Sequence, residues 1–131
     1  MPSEYLLDSN TAIYYLQGHS QVRFFVQHEE LRYLPFITVA ELLYGAKRSG
    51  RPRDNLRVYV EFFSRFTILY PTRETLEAHS DLRVRMKELG RPIPANDLWQ
   101  AAIALEHDAT LVTSDKHFLG IPGLRTEDWT L

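Results

Sequence analysis

The sequence contains no cysteine. Disulfide bridges, thiolate nucleophiles and thiolate metal sites are therefore excluded together, and such a chain suits a reducing compartment. No apolar run approaches the roughly 20 residues of a membrane-spanning helix, and the first residues show no basic segment ahead of an apolar one. We therefore expect a cytoplasmic protein with no membrane partner.

The sequence also lacks an excess of positive charge. Its 15 Lys and Arg residues face 17 Asp and Glu residues, which gives a formal net charge of −2. Binding to a polyanion would therefore need a local basic surface rather than overall attraction. The length of 131 residues and the 44% hydrophobic and 24% charged fractions are typical of one globular domain, which we expect to span residues 1–131.

Short apolar segments alternate with helical patterns along the chain. Strands are predicted at 5–7, 35–37, 66–70 and 110–113, with a closing edge segment around 121–124 and Trp129. Helices are predicted between the cap Thr72 and Gly90 and over 97–107. Strands that alternate with helices indicate an α/β fold with a mainly parallel sheet covered on both faces.

Four carboxylates lie where predicted strands end or predicted helices begin: Asp8, Glu41, Asp97 and Asp115. Each has an ordinary explanation taken singly. Thr38 and Glu41 match a capping box, the macrodipole favours Asp97 after an Asn96 cap, and Asp8 and Asp115 suit turns. In an open parallel sheet, however, strand ends and helix N-termini meet at one edge, so we expect the four to share it.

Such a cluster needs compensation by positive charge. Two unit charges about 4 Å apart repel by about 4 kcal/mol at an effective dielectric constant of 20, a large fraction of the stability of a small domain. Carboxylate oxygens favour Mg²⁺ or Mn²⁺ over softer metals. A divalent ion held there would activate water and neutralise a phosphate, which indicates phosphodiester hydrolysis.

At these residues the sequence resembles the PIN-domain ribonucleases, specifically the VapC-type toxins of bacterial toxin–antitoxin pairs. The resemblance spans nearly the whole chain and rests on five segments in order: LDSN from Leu7, ITVAELLYG from Ile37, NDLWQAA from Asn96, LVTSD from Leu111, and IPGL from Ile121 with Trp129. Two departures are Ser9, where Thr is commoner, and Pro94-Ala95, where a Gly often precedes the Asn.

The resemblance implies a PIN-like three-layer α/β/α sandwich with a sheet of four to five strands, and it implies roles for the acidic residues. Asp8, Glu41, Asp97 and Asp115 take the four acidic positions, and Asp8 and Asp97 are the most expected to contact the metal. Glu41 would orient a water or serve a second ion, and the family varies most at Asp115. The supporting polar residues would be Asn10, Thr38 and Ser114.

The implied reaction is in-line attack of a metal-activated water on RNA, leaving a 5′-phosphate and a 3′-hydroxyl. The expected substrate is structured RNA such as tRNA or rRNA. The implied cofactor is Mg²⁺ or Mn²⁺. The implied partners are a cognate VapB-like antitoxin that covers the acidic edge and a second copy in a homodimer. A larger toxin–antitoxin assembly would bind operator DNA through the antitoxin.

The densest basic segment offers cations for RNA phosphates outside the metal site: Arg48, Arg51 and Arg53. A charge run of this kind is also common on a solvated surface. The five histidines show no zinc spacing, and His117 is interpreted as a surface residue. Trp99 is expected near the mouth of the site.

Two other functions remain open from the sequence. The first is a PIN-like module that binds RNA or protein without cutting, although a pure RNA binder gains nothing from uncompensated negative charge. The second is a phosphoryl enzyme with an aspartyl nucleophile. Such phosphatases carry a second Asp two residues after the first, where this chain has Asn10, so that function is disfavoured.

Overall fold

The computed structural model describes residues 4–29 and 32–131, so residues 1–3 and 30–31 of the expected domain lie outside the description. Its centre is a five-stranded sheet with the spatial order β3-β2-β1-β4-β5. All four neighbouring pairs are parallel, which confirms the predicted sheet. The strands are β1 (Tyr5–Leu7), β2 (Arg32–Pro35), β3 (Thr67–Leu69), β4 (Thr110–Val112) and β5 (Arg125–Glu127).

Helices cover both faces of the sheet, as expected for a three-layer sandwich. Leu6 and Leu111 belong to one buried cluster and the next residues, Leu7 and Val112, to another, because successive strand residues point to opposite faces. The first cluster includes residues of α5 (Arg73–Glu88) and α6 (Ala95–Glu106). The second includes residues of α1 (Ser9–Leu16), α2 (Ser20–His28), α3 (Phe36–Lys47) and α4 (Pro52–Phe63). Among the described residues, none of the helices is both long and apolar enough to cross a membrane.

The ends of α5 follow from its sequence. The backbone N–H of Thr72, the N-cap residue, donates to Thr75 Oγ1 at 2.9 Å. Beyond the other end, Gly90 has φ +67° and its N–H donates to the Lys87 carbonyl at 3.0 Å. Glycine adopts this left-handed conformation at little cost, which is why it commonly ends helices. The predicted helix between Thr72 and Gly90 is confirmed.

Two helices begin earlier than the sequence patterns predict. The predicted strand at 35–37 is wrong at residues 36 and 37, because β2 ends at Pro35 and α3 begins at Phe36. Likewise α6 begins at Ala95, directly after Pro94, so Asn96 lies inside the helix and is not its cap. In both cases a proline with extended ψ occupies the cap position, and its fixed φ suits the residue that leads into a helix.

We predict that Thr75→Val lowers the free energy of unfolding by about 1–3 kcal/mol. Thr75 is 1% exposed, and its hydroxyl donates to Glu106 Oε1 at 2.6 Å while accepting the Thr72 N–H. Valine keeps the shape but leaves both partners without this hydroxyl. Urea denaturation measures the change, and Ser80→Ala, an exposed hydroxyl on the same helix, should change stability by less than about 0.5 kcal/mol. Equal effects of the two substitutions would contradict this account.

Candidate active site

Asp8 lies at the junction of β1 and α1, where it is the N-cap of the helix. Its Oδ1 accepts a hydrogen bond from the Thr11 N–H at 2.7 Å, and its Oδ2 accepts one from Thr113 Oγ1 at 2.5 Å. The residue is only 4% exposed. Burial raises the pKa of this carboxyl above its ordinary value, although the hydrogen bonds from Thr113 and Thr11 oppose the shift.

Two further threonines anchor the helices around Asp8 to the sheet. Thr11 Oγ1 donates to the Val112 carbonyl at 3.0 Å, which joins α1 to the end of β4. Thr38 Oγ1 donates to the Leu7 carbonyl at 2.9 Å, which joins α3 to the end of β1. Both side chains are buried. These bonds hold the first turns of α1 and α3 against the strand ends.

The contact of Thr38 with Leu7 overturns the capping-box explanation of Glu41. Thr38 is the third residue of α3 and not its cap, so Glu41 does not serve a Thr38 N-cap. Instead, Glu41 Oε1 accepts a hydrogen bond from Ser9 Oγ at 2.8 Å across the gap between α3 and α1. Ser9, which stands where the family more often has Thr, therefore uses its hydroxyl to contact one of the four carboxylates.

Asp97 and Asp115 approach each other beside the exposed side chain of His117. Asp97 is in the first turn of α6, and Asp115 follows β4 and caps a short 3-10 turn, Lys116–Phe118. His117 Nδ1 lies 3.6 Å from Asp97 Oδ2 and 3.3 Å from Asp115 Oδ1. One ligand atom from each of the three residues lies within 4.8 Å of the others.

The charges of the four carboxylates are coupled. Burial raises the pKa of Asp97, and the negative charges of Asp115 and Glu41 raise it further, while His117 opposes the shift. The charge of Asp115 also contributes to the raised pKa of Asp8. The charge interactions therefore link the four predicted acidic residues in a series, from Asp8 to Asp115, from Asp115 to Asp97, and from Asp97 to Glu41.

A groove of about 600 Å³ adjoins this neighbourhood between α1 and α3. Ser9, Asn10 and Glu41 line it together with Asn96, the residue before Asp97, and it extends along α3 to Tyr44 and Arg48. Arg48, which is expected from the sequence to contact RNA, therefore lines the groove. Arg51 and Arg53 line a separate shallow depression at the start of α4.

Other predicted residues take less direct positions. Ser114 is half-buried between Thr113 and Asp115. Trp99 stacks on His79 of α5 with ring centroids 3.8 Å apart and meets Phe36 edge-on, so it packs between helices and does not line the groove.

Sequence reasoning overlooked Thr113, whose hydroxyl both binds Asp8 and accepts the Asp115 N–H at 3.0 Å. It placed His117 at the surface, which the exposed ring confirms, but it missed the contacts of that ring with two of the acids. The sequence signal that could have indicated these contacts is that Thr113 and His117 lie two residues before and after Asp115.

The donor set fits a hard divalent cation. Asp97 and Asp115 offer carboxylate oxygens, which Mg²⁺ and Mn²⁺ prefer, and Mg²⁺ commonly uses only one or two carboxylates directly. A single imidazole beside them does not make a zinc site, because structural and catalytic zinc sites use at least three protein ligands dominated by nitrogen and sulfur.

Comparisons with known proteins agree with this geometry. The model of the PIN domain family matches residues 5–124. The chain is 33% identical over 134 residues to ribonuclease VapC1 of Haemophilus influenzae, covering 96% of this chain and 98% of the relative. It is 32% identical over 131 residues to the tRNA(fMet)-specific endonuclease VapC of Salmonella typhimurium, covering 96% and 98%.

Solved structures of two complexes show the same fold. The chain matches one in DNA-bound VapBC from Salmonella typhimurium with a TM-score of 0.92 and 29% identity, over 97% of this chain and 98% of that one. It matches one in VapBC-1 from nontypeable Haemophilus influenzae with a TM-score of 0.86 and 32% identity, over 97% and 98%.

We predict that Asp8→Asn stabilises the metal-free protein at pH 7. The folded-state pKa of Asp8 is raised, so its ionisation costs stability as the pH rises through that pKa, and asparagine removes this cost. The asparagine oxygen can still accept the Thr11 N–H, and its NH₂ group can donate to Thr113 Oγ1 in place of the present bond. The advantage should shrink as the pH falls through the folded-state pKa, because the wild-type carboxyl then becomes neutral too. Thermal denaturation in EDTA at a series of pH values from 7 downwards measures both effects. Asp81→Asn, at an exposed position on α5, is the control, and a destabilised Asp8→Asn protein would refute the interpretation.

Proposed function

The chain belongs to the PIN domain family of VapC-type ribonucleases, and on that premise we propose that it is a Mg²⁺- or Mn²⁺-dependent endoribonuclease, the toxin of a toxin–antitoxin pair. The observation that carries the proposal is the convergence of Asp97 and Asp115 beside the buried Asp8. The protein would cut RNA by hydrolysis of a phosphodiester bond. We also propose that residues 1–131 act as one domain in the cytoplasm.

In this proposal the four carboxylates divide the work of holding the metal and the water. A bound ion would supply positive charge against the phosphate and lower the pKa of water. Asp97 and Asp115 would present ligand oxygens to it, and Asp8, whose pKa is raised in part by the charge of Asp115, would be a further ligand. Glu41, held through Oε1 by Ser9, orients the attacking water with its other oxygen or serves a second ion.

The remaining polar residues have positioning roles. Thr38 fixes the end of β1 immediately before Asp8, and Thr113 fixes the carboxylate itself. Asn10 faces the substrate from the groove wall, and Ser114 supports the turn between Thr113 and Asp115. Arg48 contacts an RNA phosphate from the groove, and the more distant Arg51 and Arg53 contact the backbone further along.

The proposed partners follow from the family. The two solved relatives described above are VapBC complexes, one of them bound to DNA. We propose that a VapB-like antitoxin covers the acidic edge of this chain and blocks cleavage. The toxin would form a homodimer, and the antitoxin would carry the complex to operator DNA. A structured RNA such as tRNA or rRNA is the proposed substrate, since one relative is a tRNA(fMet)-specific endonuclease.

We predict that the purified protein cuts a mixed RNA pool when Mg²⁺ or Mn²⁺ is added and not in EDTA. Asp8→Asn and Asp97→Asn should reduce the cleavage rate by at least about a hundredfold, because each removes a charge that the metal site needs. Gel analysis of labelled RNA measures the rate, and Asp81→Asn should cut like the wild type. Cleavage that survives EDTA and both substitutions would defeat the mechanism. Binding of RNA without any cleavage by the wild type would favour a non-cleaving module instead.

We also predict that Mn²⁺ alone, without RNA, raises the melting temperature of the wild type. An ion that binds only the folded state at about 100 times its dissociation constant adds about 2.7 kcal/mol of stability. In Asp97→Asn the metal affinity should fall by at least about tenfold, so the shift should be smaller at the same concentration. Differential scanning fluorimetry with a Mn²⁺ titration provides the readout. Equal shifts in wild type and variant would mean that the ion binds elsewhere.

A further inference from the structure

Tyr44 is a large aromatic residue left exposed on the wall of the groove. It is 67% exposed near the end of α3, whose other face is buried. The guanidinium of Arg48, one turn further along, lies over the ring at 5.4 Å from its centroid. Neither side chain fills the core, and both line the groove, where they can contact a ligand.

The helix places this pair in line with the acidic cluster. Glu41, Tyr44 and Arg48 are separated by three and four residues, so they lie on one face of α3, and all three line the groove. Gly45, also in the lining, leaves open space where a side chain would otherwise project. At 1.5 Å per residue, Arg48 lies about 10 Å along the helix from Glu41.

An extended nucleic acid strand matches the chemistry of this face. A phosphate held at the carboxylates leaves the neighbouring nucleotide beside Tyr44, whose flat ring can stack on any unpaired base. The next phosphate then comes within reach of the Arg48 guanidinium. A duplex matches poorly, because its bases are already stacked and cannot offer a face to the ring.

We infer that Tyr44 and Arg48 form a substrate subsite that takes one unpaired nucleotide of RNA, with its base on the Tyr44 ring and its phosphate on Arg48. The inference rests on the proposed ribonuclease function and adds to it the two residues that bind the nucleotide next to the site of cleavage. Tyr44 is then a specificity-determining residue outside the metal site.

The test is binding of a fluorescent single-stranded RNA 20-mer pool, measured by anisotropy in the non-cleaving Asp8→Asn background. Tyr44→Ala should weaken binding about tenfold, and Tyr44→Phe, which keeps the ring, should bind within about twofold of the parent. Arg48→Ala should weaken binding and reduce the slope of log affinity against log salt by about 0.7, as expected for one lost phosphate contact to a single strand. Affinity for a duplex of the same length should not depend on Tyr44.

Two matched residues provide the controls. Tyr70, 66% exposed at the end of β3 and outside the groove lining, should tolerate Tyr70→Ala without loss of binding. Arg73, exposed on α5, should tolerate Arg73→Ala with a smaller effect than Arg48→Ala. Melting temperatures should stay the same in these variants and in Tyr44→Ala, since none of the side chains is buried.

The outcomes separate the subsite from the function on which it rests. Wild-type protein that fails to cut the same pool with Mn²⁺ refutes the ribonuclease, whatever the variants do. Cleavage by the wild type together with unchanged affinity in Tyr44→Ala overturns the subsite alone and leaves the groove as a surface for a protein partner. Equal losses in Tyr44→Ala and Tyr70→Ala would also overturn it, because stacking would then not be local to the groove.

Discussion

The buried carboxylate of Asp8 accepts hydrogen bonds from Thr11, three residues away, and from Thr113, 105 residues away along the chain. A lone ionised carboxyl is costly to bury, and its raised pKa records that cost. The two hydrogen bonds offset it in part and, in doing so, tie the start of α1 to the segment after β4. The geometry at the edge of the sheet depends on this arrangement, because Thr113 also holds the Asp115 backbone.

The parallel sheet explains why this edge can concentrate negative charge. With β1 and β4 adjacent and parallel, the residues that follow them emerge side by side, and the N-termini of α1 and α6 present their positive dipole ends nearby. Hydroxyl groups of Thr11 and Thr38 bind strand carbonyls at the same level and so keep the helices in register with the strands. Charge repulsion is thus concentrated at one edge, while most of the buried side chains elsewhere in the domain are apolar.

One helix connects the reacting groups with the surface that receives a substrate. α3 contributes Thr38 to the anchoring of the sheet, Glu41 to the acidic cluster and Tyr44 to the groove, and its C-cap residue Arg48 also lines the groove. Because these residues share a rigid element, the distance between the acids and the groove is set by helix geometry and not by a loop. The same helix therefore fixes the distance between the acidic cluster and the RNA that we propose the groove binds.

The sequence by itself determined the parallel α/β architecture, the limits of α5, and the choice of four acidic residues, because hydrophobic period, cap residues and strand ends are local signals. It misplaced the starts of α3 and α6, where prolines at the caps and contacts with the sheet decide the first helical residue. Only the tertiary structure showed that Glu41 bonds Ser9 and not its own helix cap, that Thr113 supports Asp8, and that His117 contacts two acids. These contacts join residues far apart in the chain or on turns, where no periodic pattern records which side chains will meet.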